Sequence, residues 1–147
     1  MTDFRSTMFR KLVGLFIVAM VLISVPQEAF AFSVYVKNPY SQPLSVATLS
    51  FEDNENTFYC HGWFNIPPYS SKTINIEDST RSKAVWLYAF NSEATFGGEG
   101  YAGSVGRVVI NDMFGYYDNG SCPGGANRRT VYFTKWELDG GAVYYTP

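Results

Sequence analysis

His61 is the only histidine of the chain and stands directly after Cys60. A thiolate beside an imidazole is nucleophile chemistry, but neighbours on an extended strand project to opposite faces, so these two side chains do not meet. A zinc site would need three further ligands around His61, and no second histidine exists to begin one. Gly98-Glu99-Gly100-Tyr101-Ala102-Gly103 spells a dinucleotide fingerprint by letter. That chemistry needs a strand before the glycines and a helix after them, and Arg107-Val108-Val109 supplies no helix, so the segment is expected to be a glycine-rich loop. Glu52-Asp53-Asn54-Glu55-Asn56 gathers hard oxygen donors of the kind calcium takes, but lacks the central glycine and distal glutamate of a calcium loop; it is expected to be a solvated hairpin tip. No Gly-x-Ser-x-Gly elbow occurs. A carboxylate-dependent glycan hydrolase would have to use Glu52 or Glu99 with another acid, and the spacing singles out no pair. The expectation is no catalytic residue, no metal and no cofactor.

Aromatic side chains are the strongest positive feature. Residues 32–147 hold 22 of them, eleven tyrosines, eight phenylalanines and three tryptophans. Trp86, Tyr88, Phe90, Phe133 and Trp136 fall in strand-like runs and are expected mainly in the core. Tyr40, Tyr69, Tyr101, Tyr116 and Tyr117 fall where turns or loops are expected, and Trp63 stands beside Gly62. Rings at such places stack on sugar faces or anchor a protein partner, which makes Trp63, Tyr69, Tyr101, Tyr116 and Tyr117 the candidate binding residues. A ring that folds down over the rim of its own sheet explains the same pattern without a ligand.

The elements that must position these side chains begin after residue 31. Arg5, Arg10 and Lys11 precede an apolar run from Leu12 to Val25, Pro26 breaks it, and Ala29-Phe30-Ala31 supplies small residues at a cleavage site. That order is a secretory leader, expected to be cut after Ala31, and the run is too short for a comfortable membrane span. The remaining 116 residues form one domain, with a formal charge of −3 and no basic field to attract nucleic acid. Two cysteines in an exported chain lead to the expectation of a Cys60–Cys122 disulfide, which would stabilise a fold by about 4 kcal/mol in the chain-entropy model.

Short alternating runs separated by turn residues read as strands. Phe32–Lys37, Leu44–Phe51, Thr57–Phe64, Thr73–Ile76, Ala84–Phe90, Thr130–Leu138 and Ala142–Thr146 are the clear ones. Ala84–Phe90 is apolar on both faces, as a central strand would be. Arg107–Phe114 fits a strand or a helical turn. Asp139-Gly140-Gly141 is expected to close a hairpin between the last two strands. Seven or eight strands at this spacing predict a small antiparallel β-sandwich or barrel-like domain.

Several of these segments together look familiar. Val36-Lys37-Asn38, Leu44-Ser45-Val46-Ala47, Gly62-Trp63-Phe64-Asn65-Ile66-Pro67, Leu87-Tyr88-Ala89-Phe90, Gly103, Phe114, Cys122 and Val131-Tyr132-Phe133 follow one another in an order that resembles the small exported bacterial domains grouped as domain-of-unknown-function family 1036. The resemblance implies a bacterial envelope or secreted protein and carries no catalytic residue over. The sequence thus leads to an exported, non-enzymatic binding or envelope structural module, periplasmic, cell-envelope or extracellular. A protein partner or an envelope glycan is the expected contact, with a carbohydrate- or peptidoglycan-binding module on Trp63, Tyr69 or Tyr101 as the alternative and a glycan hydrolase as the third.

Overall fold

A computed structural model describes residues 32–77, 83–122 and 124–147; the expected leader lies outside them. Ten strands and no helix occur among the described residues: β1 (Phe32–Lys37), β2 (Leu44–Glu52), β3 (Thr57–Ile66), β4 (Ser71–Ile76), β5 (Ala84–Phe90), β6 (Thr95–Phe96), β7 (Val105–Val109), β8 (Phe114–Tyr117), β9 (Arg129–Glu137) and β10 (Ala142–Tyr145). The chain is all-β, as its alternation dictates, and no described helix is long and apolar enough to cross a membrane. A small sheet runs β10-β1-β4, and a large one runs β7-β9-β5-β2-β3-β8 with β6 paired to β5.

The two faces of the large sheet carry two cores. Toward the small sheet, Leu44, Val46, Ile66, Val85, Leu87 and Ala89 meet Phe32, Val34, Val36, Ile74, Ile76, Val143 and Tyr145. On the opposite face, Ala47, Leu49, Cys60, Tyr88, Phe114, Tyr116, Val131 and Phe133 gather where the sheet curls on itself. β5 feeds both cores, which is why its sequence is apolar at every position. The outer strands β7 and β8 are drawn together by side chains: the Tyr116 hydroxyl donates to the Val108 carbonyl at 2.9 Å, and Arg107 pairs with Asp118. The ambiguous Arg107–Phe114 run therefore resolves into a strand, a four-residue connection and the start of another strand.

β3 carries one residue more than β2. Val46 faces Phe64 and Ala47 faces Gly62, so Trp63 is the unpaired residue of a bulge. The bulge places Trp63 against the second core while Phe64 returns to the first. Gly62 is required there, because a β-carbon would lie 2.9 Å from both the Ala47 β-carbon and the Phe114 ring. Between β1 and β2 the fully buried Asn38 acts as a rivet. Its amide donates to the carbonyls of Gln42, Ile66 and Pro67 at 2.8, 3.1 and 3.0 Å, and its oxygen accepts from the Tyr40 N–H.

Two sequence expectations need correction. Gly140 and Gly141 do make the tight turn, with φ of +57° and +83°, but β10 does not pair with β9 as a hairpin. After the Asp139–Ala142 bridge the chain crosses to the small sheet and runs parallel to β1. A turn motif fixes the local reversal, not which sheet the next strand joins. The cysteines are both free thiols in the structure, Cys60 buried in the second core and Cys122 exposed past β8. Cysteine parity carries no information on side-chain direction, and Cys60 points inward, where burial pushes its thiol up to about 12.

Candidate functional site

A groove lies on the outer face of the small sheet. In β1 the alternation buries Val34 and Val36 and turns Tyr35 and Lys37 outward; in β10 it buries Val143 and Tyr145 and turns Tyr144 outward. The parallel register sets Tyr35 beside Tyr144, and the antiparallel register sets Thr73 on the other side of Tyr35. The two tyrosine rings stack with centroids 5.1 Å apart and planes 17° apart. They remain 41% and 71% exposed, far more than rings of a sheet covered by its own chain. Lys37, Ser71, Thr73 and Thr146 add polar groups to a groove of about 370 Å³. Its charged lining residues are two lysines, Lys37 and Lys72, and the Lys72 ammonium sits 5.8 Å over the Phe64 ring. Flat apolar rings next to hydroxyls and a cation offer both kinds of contact that a sugar presents, a C–H face and a fringe of hydroxyls.

None of the rings singled out from sequence lines this groove. Trp63 is half-buried: its indole N–H donates to the Ile110 carbonyl at 2.8 Å, its ring packs edge-on to Phe90 and Phe114, and the Arg129 guanidinium covers it at 5.9 Å. Tyr116 is on β8 rather than in a turn, buried, with its hydroxyl on Val108. Tyr117, also on β8, donates to the Glu52 carboxylate at 3.0 Å, which pushes its phenol up to about 12. Tyr69 and Tyr101 are exposed, in the turns between β3 and β4 and between β6 and β7, and neither ring stacks on another among the described residues. Glu99 lies in the turn with Tyr101, outside both the groove and the surroundings of Glu52.

The separation of Cys60 from His61 is as strand geometry requires. Cys60 faces the second core, while His61 lies on the other face of β3, half-buried between Tyr59 and Phe64 at ring distances of 5.7 and 4.8 Å. Burial holds the His61 pKa below its usual value. Among the described residues no three His, Cys, Asp or Glu side chains gather as metal ligands. The residues that sequence reasoning missed are Tyr35 and Tyr144. Each sits at the outward position of an alternating strand, where a polar residue is the norm, and that is the signal that could have found them.

No family model, curated protein or solved structure matches the chain.

Proposed function

We propose that this chain is an exported, non-enzymatic binding domain whose ligand is a glycan strand held in the groove across the small sheet. The observation that supports this reading is the stacked and exposed Tyr35–Tyr144 pair, flanked by the hydroxyls of Ser71, Thr73 and Thr146. Contiguous exposed rings rimmed by polar groups mark interaction surfaces on small proteins. Sugar rings stack on such pairs while their hydroxyls bond the rim. The leader-like residues 1–31 and the resemblance to family 1036 support a bacterial envelope or secreted location. Binding without turnover is supported by the buried Cys60 thiol, which is held protonated at neutral pH.

The test is isothermal titration of the protein with soluble envelope-type oligosaccharides, murein fragments and chitooligosaccharides among them. Binding is expected to be weakened about tenfold or more by Tyr144→Ala or Tyr35→Ala, the loss of one stacked anchor. Undiminished binding by both variants would place the ligand elsewhere. A second reading, a protein partner, is favoured by one feature: β10 is the edge of the small sheet and carries Tyr144. An extended segment added to that edge would pair with β10, and a Pro substitution at Val143 would abolish it.

A further inference from the structure

The registers of the small sheet lay its outer face out in rows. Tyr144, Tyr35 and Thr73 form one row across β10, β1 and β4. Two residues toward one end, Lys37 stands opposite Ser71, and Thr146 lines the groove after β10 ends. Two residues toward the other end, Ala142, Ser33 and Asn75 form a third row. Charge is spread unevenly over these rows. Lys37 is exposed, and its ammonium pairs with no carboxylate among the described residues. Lys72, opposite the buried Val36, turns instead to the Phe64 ring, 5.8 Å from its centroid. No Asp or Glu lines the groove. The acids that flank these strands, Asp139 before β10 and Glu77 after β4, lie past the Ala142–Ser33–Asn75 row, at the end away from Lys37. Pro147 presents its oxygen to the Tyr40 hydroxyl at 2.6 Å and does not line the groove.

We propose that the groove selects glycans whose rings carry carboxylates, and that Lys37 is the residue that reads the charge. That the ligand is a glycan rests on the reading of the groove given above, whereas the selectivity rests on the distribution of charge. Lys37 stands on the same face as Tyr35 and about 7 Å further along β1, the rise of two strand residues. A uronate ring stacked on Tyr35 sets its carboxylate toward Lys37, and the flexible four-carbon stem of the lysine spans the gap. The reverse orientation turns the carboxylate toward Asp139 and Glu77, where like charge opposes it. The cation therefore fixes ligand class and chain direction more than it adds affinity. One cation is too few for a phosphodiester strand, whose affinity rests on several neutralised phosphates.

The experiment is isothermal titration of the protein, at low ionic strength, with oligogalacturonate, oligomannuronate and hyaluronan fragments, each beside its carboxyl methyl ester. Each pair has the same rings and differs in charge. At least one acid is expected to bind about threefold to fivefold more tightly than its ester, the worth of an exposed ion pair. The difference is expected to shrink in 1 M salt, which screens the pair. Lys37→Gln is expected to abolish it, while Lys37→Arg and Lys72→Gln keep it. Lys37 and Lys72 are both exposed, so these variants leave the cores untouched. The proposal is overturned if no acid binds more tightly than its ester, or if the preference survives Lys37→Gln. Failure of the groove reading looks different. Neutral chitooligosaccharide binding that Tyr144→Ala weakens, with no preference for any acid, keeps the groove and overturns the charge selectivity alone. Absence of binding by the neutral and acidic series alike overturns both.

Discussion

Tyr35 and Tyr144, 109 positions apart in the chain, stack at 5.1 Å because β1 and β10 run parallel in the small sheet with these two residues in register. The pair ties the first described strand to the last and leaves both rings open to solvent. Tyr144→Ala is expected to cost about 1 kcal/mol or less in folding free energy, since the lost stack is worth about 0.5–1.5 kcal/mol and the ring is 71% exposed. Denaturant unfolding of the variant measures this, and a loss of several kcal/mol would show that the pair is a structural clamp.

Asn38 is expected to be the most sensitive polar residue of the fold. Asn38→Asp keeps the shape but sets a carboxylate against the carbonyls of Gln42, Ile66 and Pro67, which the amide now donates to. The change is expected to destabilise by about 2 kcal/mol or more at neutral pH, partly recovered in acid as the new carboxyl takes up a proton. Equilibrium unfolding at two pH values checks both parts.

Gly62→Ala is expected to destabilise by about 1–3 kcal/mol, the cost of overpacking. The new methyl has no room between Ala47 and the Phe114 ring, and both belong to the second core. Equal stability of the variant would mean that the bulge at Trp63 yields freely.

The thiols give a direct count. Native protein is expected to react with one equivalent of a thiol reagent, at Cys122, and with a second only after unfolding exposes Cys60. Burial raises the Cys60 pKa to about 12, so its thiolate is scarce even where reagent penetrates. No reactive thiol in either state would mean that the two sulfurs are bonded to each other.

Much of the frame was legible in the sequence, and particular residues show where legibility stops. The alternation of Phe32, Val34 and Val36 against Ser33, Tyr35 and Lys37 is a local property, and it placed β1 and its buried face correctly. So did the doubly apolar run of β5, which lies centrally and supplies both cores. The parallel pairing of β1 with β10 joins chain ends through a sheet crossing after Gly141, and no local pattern encodes it. The groove was therefore missed although each of its tyrosines sat at a readable outward position. The placement of Tyr116 and Trp63 was hidden for the reverse reason: a four-residue strand and a bulge, both set by distant packing, bury the Tyr116 ring in the second core and set Trp63 half-buried against it.

Acid is expected to weaken the fold through His61. Its folded pKa is depressed by burial, so the unfolded chain binds the proton more readily. Stability is then full above the unfolded value near 6.5 and is lost as pH falls from there through the folded pKa. His61→Gln removes that slope. Melting temperatures of both proteins across pH 8 to 5 are expected to diverge below about pH 6.5, with the wild type falling faster; parallel curves would contradict the burial of the imidazole.

Whether the groove holds a glycan strand is decided by the affinity of the protein for one oligosaccharide series of increasing length. Affinity is expected to rise with each added ring until the groove is filled, and Tyr144→Ala is expected to flatten the rise. A flat response in the wild type, or a rise that Tyr35→Ala and Tyr144→Ala both leave unchanged, would contradict the glycan reading.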